Sequence, residues 1–288
     1  MVTSVSRHDF RTDNAAEAMA PIVRSAVRAV ERMEGSEISR SRALTATLTA
    51  AKWHCVADPD AAKIDTWYAW VQAMQVGSAL FTSATATEGP VACRIGVQGE
   101  VKNLPATGPV SYTNAGAWVT SFYLALILRE NERLERLARV PVSFLRESGA
   151  AFDEYIYSWV ETLQSFWLGR DDIAAKLVAA VDGTAPDAAQ VADSDMMLKV
   201  LYPPIELFHR YLRGDTEQFN KALAMALNWH KEYWTADEAR ALSGTGLVAL
   251  GPLAMACIAR DAGMQVEVES PYLPAELLRF ARAGEIAT

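Results

Sequence analysis

The chain has 288 residues, 51% hydrophobic and 22% charged, which allows a sizeable core in one large domain or two small ones. A net charge of −8 argues against gripping nucleic acid or an anionic membrane surface by bulk charge, and leaves room for a basic partner. No run of about 18 apolar residues suggests a membrane span, and the stretch MVTSVSRHDFRTDN lacks the apolar core of a secretory signal.

Helical periods dominate from the start. Asn14 can cap a helix through AAEAMAPIVRSAVRAVERME, with Pro21 expected to interrupt or kink it. Ser39 or Ser41 can cap a second, RALTATLTAAKWHCVA, ending before Asp58-Pro59. A third, DAAKIDTWYAWVQAMQVGSALF, carries Trp67, Trp70, Val71 and Met74 at helical spacing. Between Pro90 and Pro105 the pattern alternates at Val91, Cys93, Ile95 and Val97, with a turn available at Gly99, so a β-hairpin or two short strands are expected.

Three helix–turn–helix units follow: WVTSFYLALIL with ERLERLARV, FDEYIYSWVETLQSFWLG with IAAKLVAAV, and PPIELFHRYLRG with QFNKALAMALNWHKEYW. Their turns fall at Asn131, Gly169 and Gly214, a spacing typical of helical-hairpin repeats. Gly169 and Gly214 can take positive φ at a helix C-terminus, and Asp171 and Asp215 can cap the helices that follow. VDGTAPDAAQVADSD is an exposed loop between the second and third units, and Asp193-Ser194-Asp195 in it suits a helix cap better than a metal site. The expected fold is mostly α: a helical-hairpin, α-solenoid-like array with a small β-hairpin insertion. One compact unit is expected overall, made of an N-terminal helical region (1–88), the hairpin and loop (89–110) and the repeats with a closing strand and helix (111–288).

Little points to catalysis. Glu206 and His209 form one Glu-x-x-His, but a di-iron bundle needs a second and two further helical glutamates. No zinc motif and no G-x-S-x-G nucleophile elbow is present. The cysteines Cys55, Cys93 and Cys257 are scattered and odd in number, and read as reduced thiols of a cytoplasmic protein. No cofactor or metal is expected. Gly244, Gly246 and Ala249 fit G-x-G-x-x-A, with Glu267 and Glu269 some twenty residues on, as a dinucleotide site would have. That fingerprint needs a strand before its glycines, and the preceding TADEARALS reads as a polar helix capped by Thr235. A helix break, with a new or kinked helix near Pro252, is the better reading. The strand MQVEVES then needs a partner, and the 91–101 hairpin is the evident candidate.

Recognition features are more prominent. Trp229, Tyr233 and Trp234 close the last hairpin, as core packing or as anchors for a partner. From 149 to 219 there are twelve acidic and five basic side chains, which accounts for seven of the eight net negative charges. The acidic turns at Asp171, Asp172 and Asp215 are thus candidates for steering a basic partner. RENERLERLARV, with Arg129, Arg133 and Arg136 beside Glu130, Glu132 and Glu135, reads instead as a salt-bridged exposed helix rather than a phosphate site.

The sequence GPLAMACIARDAG, then VEVES, then YLPAELL resembles the C-terminal signature of the immunity protein 49 family, and LRGDTEQFNKALAMALNWHKEYW resembles its middle section. The resemblance covers most of the chain, most clearly from about 151 to 278. It implies a mostly helical, non-enzymatic cytoplasmic protein of a bacterial polymorphic toxin system, which binds and neutralises a cognate toxin; an acidic binder would suit a basic nuclease. A helical-repeat scaffold with another protein partner remains the alternative, with a nucleotide-dependent enzyme third.

Overall fold

The structure is a computed structural model that describes residues 2–10, 15–96 and 98–286. The fold is mostly α. Two compact units emerge from the pattern of internal contacts, one of Thr12–Ala150 with Arg282–Thr288 and the other of Met1–Arg11 with Ala151–Ala281. Strand β1 (Thr3–Ser4) belongs to the latter.

The first unit begins with α1 (Ala15–Glu31), which runs through Pro21 without interruption. The expected cap at Asn14 lies outside the described residues. Helix α2 (Glu37–Ala57) starts earlier than the sequence suggests: its cap is Ser36, whose side chain accepts from the Ser39 N–H, so neither Ser39 nor Ser41 caps it. Between α2 and α3 (Ile64–Ala84), the Asp58 carboxylate gathers the Ala62 and Lys63 N–H groups and the Thr66 hydroxyl. These bonds hold the carboxyl below its ordinary range although burial pushes it up.

Helix α3 is the spine of this unit. It packs on α2, then on α4 (Ala115–Ile127), with Trp67, Trp70, Met74 and Phe81 fully buried. Gly77 permits the close approach: a Cβ there would lie 2.6 Å from Ser121 Oγ of α4. The expected hairpin forms between β2 (Val91–Arg94) and β3 (Val101–Leu104), antiparallel, with Val91 opposite Leu104; Val97 is outside the described residues. Gln75 of α3 holds it, its carboxamide accepting from the Gly96 N–H at 2.7 Å and donating to the Gly96 carbonyl. Helix α5 (Asn131–Ala138) turns back along α4, where Trp118 stacks on Phe122 and donates to the Leu137 carbonyl, and α6 (Val142–Arg146) follows.

The second unit contains two hairpins. Helices α7 (Glu154–Trp167) and α8 (Ile173–Asp182) form one. After α9 (Ser194–Met196), capped by Asp193, and a π-helical turn (Met197–Leu201), α10 (Pro203–Leu212) and α11 (Thr216–Trp234) form the other. Edge-to-face contacts of Phe208 with Trp159 and Phe166 join α7 to α10. All three sequence-derived hairpins close alike. Arg129, Gly169 and Gly214 take positive φ, and the next N–H donates to the carbonyl five residues back: Glu130 to Ala125, Arg170 to Ser165, Asp215 to Arg210. This is the Schellman ending, reached without glycine at Arg129. Asp215 caps α11 through the Gln218 N–H. Asp171 caps nothing; Asp172 precedes α8 and accepts instead from the Ser165 hydroxyl.

Helix α12 (Glu238–Ala241) is capped by Asp237, while Thr235 ends α11. A 3₁₀ turn (Gly244–Leu247) leads to α13 (Leu250–Asp261), which takes Pro252 in its first turn. Then come β4 (Val268–Glu269) and α14 (Ala275–Arg279). The expected pairing of β4 with the 91–101 hairpin is wrong. β4 pairs in parallel with β1, Thr3 opposite Val268 and Ser4 opposite Glu269. Asn220 of α11 satisfies backbone groups beside it, accepting from the Glu267 N–H and donating to the Gln265 carbonyl. Nearby, Tyr272 Oη accepts from the His8 N–H and lies 2.7 Å from His8 Nδ1.

Candidate functional site

The dinucleotide reading fails on structure. The segment before Gly244 is helical, Gly244 and Gly246 lie in the 3₁₀ turn, and Trp234 covers Gly246 so closely that a Cβ there would sit 2.6 Å from its ring. His230 Nε2 lies 2.9 Å from the Gly246 carbonyl, so a histidine already holds that backbone. Glu206 is engaged by the Tyr202 hydroxyl at 2.9 Å and Arg210 at 2.8 Å, not by His209. Among the described residues no group of His, Cys, Asp and Glu is arranged to hold a metal ion. The three cysteines are free and buried.

The notable surface of the second unit lies along α11. Met225 is half exposed and stands between two clefts. One, of about 280 Å³, runs between α10 and α11 and is walled by Pro203, Glu206, Arg210, Lys221 and Trp229. The other, of about 730 Å³, lies between α11 and the strands and is walled by Thr3, Glu217, Asn220, Lys221, Gln265 and Glu267. Lys221 and Met225 line both, so the clefts share a ridge.

Of the three aromatics singled out in the sequence, only Trp229 lines these clefts. Tyr233 carries the Arg240 guanidinium 4.2 Å over its ring. That guanidinium also reaches Asp195 at 3.2 Å, and Asp195 binds Lys199 at 2.8 Å, so Tyr233 belongs to a charged brace between α11, α12 and the π-helical turn. Trp234 packs edge-on against Tyr233 and over Gly246. The acidic candidates Asp171, Asp172 and Asp215 are exposed, at equivalent turns of consecutive hairpins.

What the sequence missed is the Met225 ridge. Methionine in an amphipathic helix gives no sign of its face until the neighbours are placed. The interface habit of Met and Trp is the signal that could have found it.

Fold and surfaces together define a mostly helical protein built of helical hairpins, with paired clefts along one of them. The sequence model of the family described as immunity protein 49 matches residues 58–277. The chain belongs to that family. Neither the curated proteins nor the solved structures provide a match.

Proposed function

We propose that the protein neutralises a cognate bacterial toxin by binding it directly, without catalysis. The family match over residues 58–277 carries this reading. The acidic excess from 149 to 219 favours a basic toxin, and a nuclease is the class that best suits such a binder. The toxin would be made by the same cell or a neighbour, and binding would take place in the cytoplasm, where three free cysteines stay reduced. We assign the contact to the Met225 ridge with Trp229, and the steering of the approach to Asp171, Asp172 and Asp215. No nucleic acid, membrane or cofactor enters this mechanism.

The test is co-expression with the toxin encoded beside it. Restored growth and a stable one-to-one complex are expected. Failure with each neighbouring toxin gene would overturn the proposal and favour a helical scaffold serving another protein, for which hairpin architecture is equally suited.

A further inference from the structure

The first unit holds a second, different cleft. It measures about 560 Å³ and lies where α3 (Ala79, Thr82), β2 (Ala92–Arg94) and the first turns of α5 meet. Three arginines line it: Arg94, Arg133 and Arg136. The sequence pattern suggests an exposed, salt-bridged α5, and Arg136 with Glu132 at 3.1 Å fits that description. Arg133 does not. It is only 9% exposed, and its polar contacts are both long: Glu130 at 3.7 Å and the Arg94 carbonyl at 3.5 Å.

A guanidinium presents five N–H donors, and good bonds to oxygen are shorter than 3.2 Å. Among the described residues, Arg133 is therefore a buried cation whose nearest acceptors lie at 3.5 Å and beyond. Burial disfavours its charge, Glu130 supports it, and the nearby Arg136 and Arg94 oppose it. The backbone reinforces the same polarity. Helix α5 begins at Asn131 on the wall of this cleft, and its N-cap, Glu130, makes no side-chain cap bond. First-turn N–H groups of a helix favour an anion.

We propose that this cleft binds an oxyanion group, phosphate or carboxylate, on a small molecule. Arg133 would grip it from the cleft floor, and Arg94 and Arg136 would close on it from the rim. The oxyanion supplies a closer acceptor than Glu130 or the Arg94 carbonyl gives Arg133, and relieves the mutual repulsion of the three guanidiniums. Glu130 and Glu132 favour a compact anionic group over a long polyanion. The proposal is independent of toxin binding, because all the lining residues fall in Thr12–Ala150 and none on the α11 surface.

The full-length protein is titrated calorimetrically with inorganic phosphate and, separately, with succinate, against sodium chloride at matched ionic strength. Saturable one-site binding of either anion is expected, with phosphate alone or succinate alone identifying which oxyanion fits. Arg94→Ala and Arg136→Ala are exposed changes, and each should weaken binding about tenfold, the usual loss for a hydrogen bond to a charged group. Cys93 lines the same cleft and is 6% exposed, so bound anion should slow its alkylation, read by peptide mass spectrometry, while Cys55 and Cys257 are unaffected. Arg133→Met tests the floor directly, and if it misfolds the two rim variants decide. Absence of binding by both anions overturns the proposal. So does binding that survives unchanged in both rim variants.

Discussion

Asp153 shows how much a single side chain can organise. It is 7% exposed, and its carboxylate accepts from the Gln190, Val191 and Ala192 N–H groups at 2.6–2.8 Å. The alanine-rich loop before α9 has little apolar surface to fix it, so this carboxylate does. Burial pushes the Asp153 pKa up, the three donors pull it down, and the net shift is downward. The unfolded chain therefore takes the proton first. The stabilisation is present above the ordinary carboxylate pKa, about 4, and is lost as pH falls through the lower folded-state value. Asp153→Ala should cost about 2 kcal/mol at pH 7, since three part-buried N–H donors lose a charged acceptor, and should flatten the acid limb of the stability curve. Urea unfolding at pH 7 and pH 3 measures both effects. Gly246→Ala should also destabilise, by about 1–3 kcal/mol, because its Cβ would enter the Trp234 ring; an unchanged melting temperature would refute that packing. Neither role was legible. A carboxylate that binds a loop 37 residues away leaves no local pattern, and Arg133 sits in an Arg/Glu alternation that reads as surface until its neighbours are placed.

Elements were read more faithfully than their partners. The three hairpins, their turns and the β-hairpin were legible because periodicity and glycine punctuation are local signals. Even Arg129, which takes the position glycine holds elsewhere, ends its helix near the expected place. The β1–β4 pair was not legible. It is two residues long on each side and spans 265 positions, too short for alternation to set a register. Its energetics are clearer than its sequence signal. Thr3 and Val5 donate to the Glu267 and Glu269 carbonyls, Val5 and His8 are buried, and His8 reaches Tyr272. Deleting residues 2–9 should therefore cost the second unit roughly 3–5 kcal/mol from lost apolar burial and unmade bonds. Helical content by circular dichroism should hardly change. Hydrogen exchange should quicken in 265–273 and stay constant in α3, and protection that persists in 265–273 would show that the strand does not depend on β1.

At the scale of the whole molecule, charge and shape should act on different steps of toxin binding. Four of the twelve acids counted in the sequence are partly cancelled at close range: Glu161 by Lys176, Asp195 by Lys199 and Arg240, Glu206 by Arg210, Glu217 by Lys221. Exposed pairs of this kind add little stability, but they also contribute little to the distant field. The exposed turn carboxylates at Asp171, Asp172 and Asp215 form no ion pair among the described residues and should contribute to attraction at the range of a Debye length, about 8 Å at physiological salt. A variant with Asp171→Lys, Asp172→Asn and Asp215→Asn keeps side-chain oxygens where Asp172 and Asp215 accept hydrogen bonds, and moves the net charge from −8 to −4. With a basic toxin its association rate at low salt should fall about tenfold, the difference should shrink as salt is added, and dissociation should hold steady. Met225→Glu and Trp229→Ala should do the opposite, leaving association near its original rate and speeding dissociation about thirtyfold or more, as loss of a buried anchor does. Because the two sets act on successive steps, the combined variant should show the product of the two effects on affinity. A triple variant that dissociates faster would place the turns inside the interface, and a Met225→Glu protein that holds the toxin unchanged would remove the α11 ridge from it.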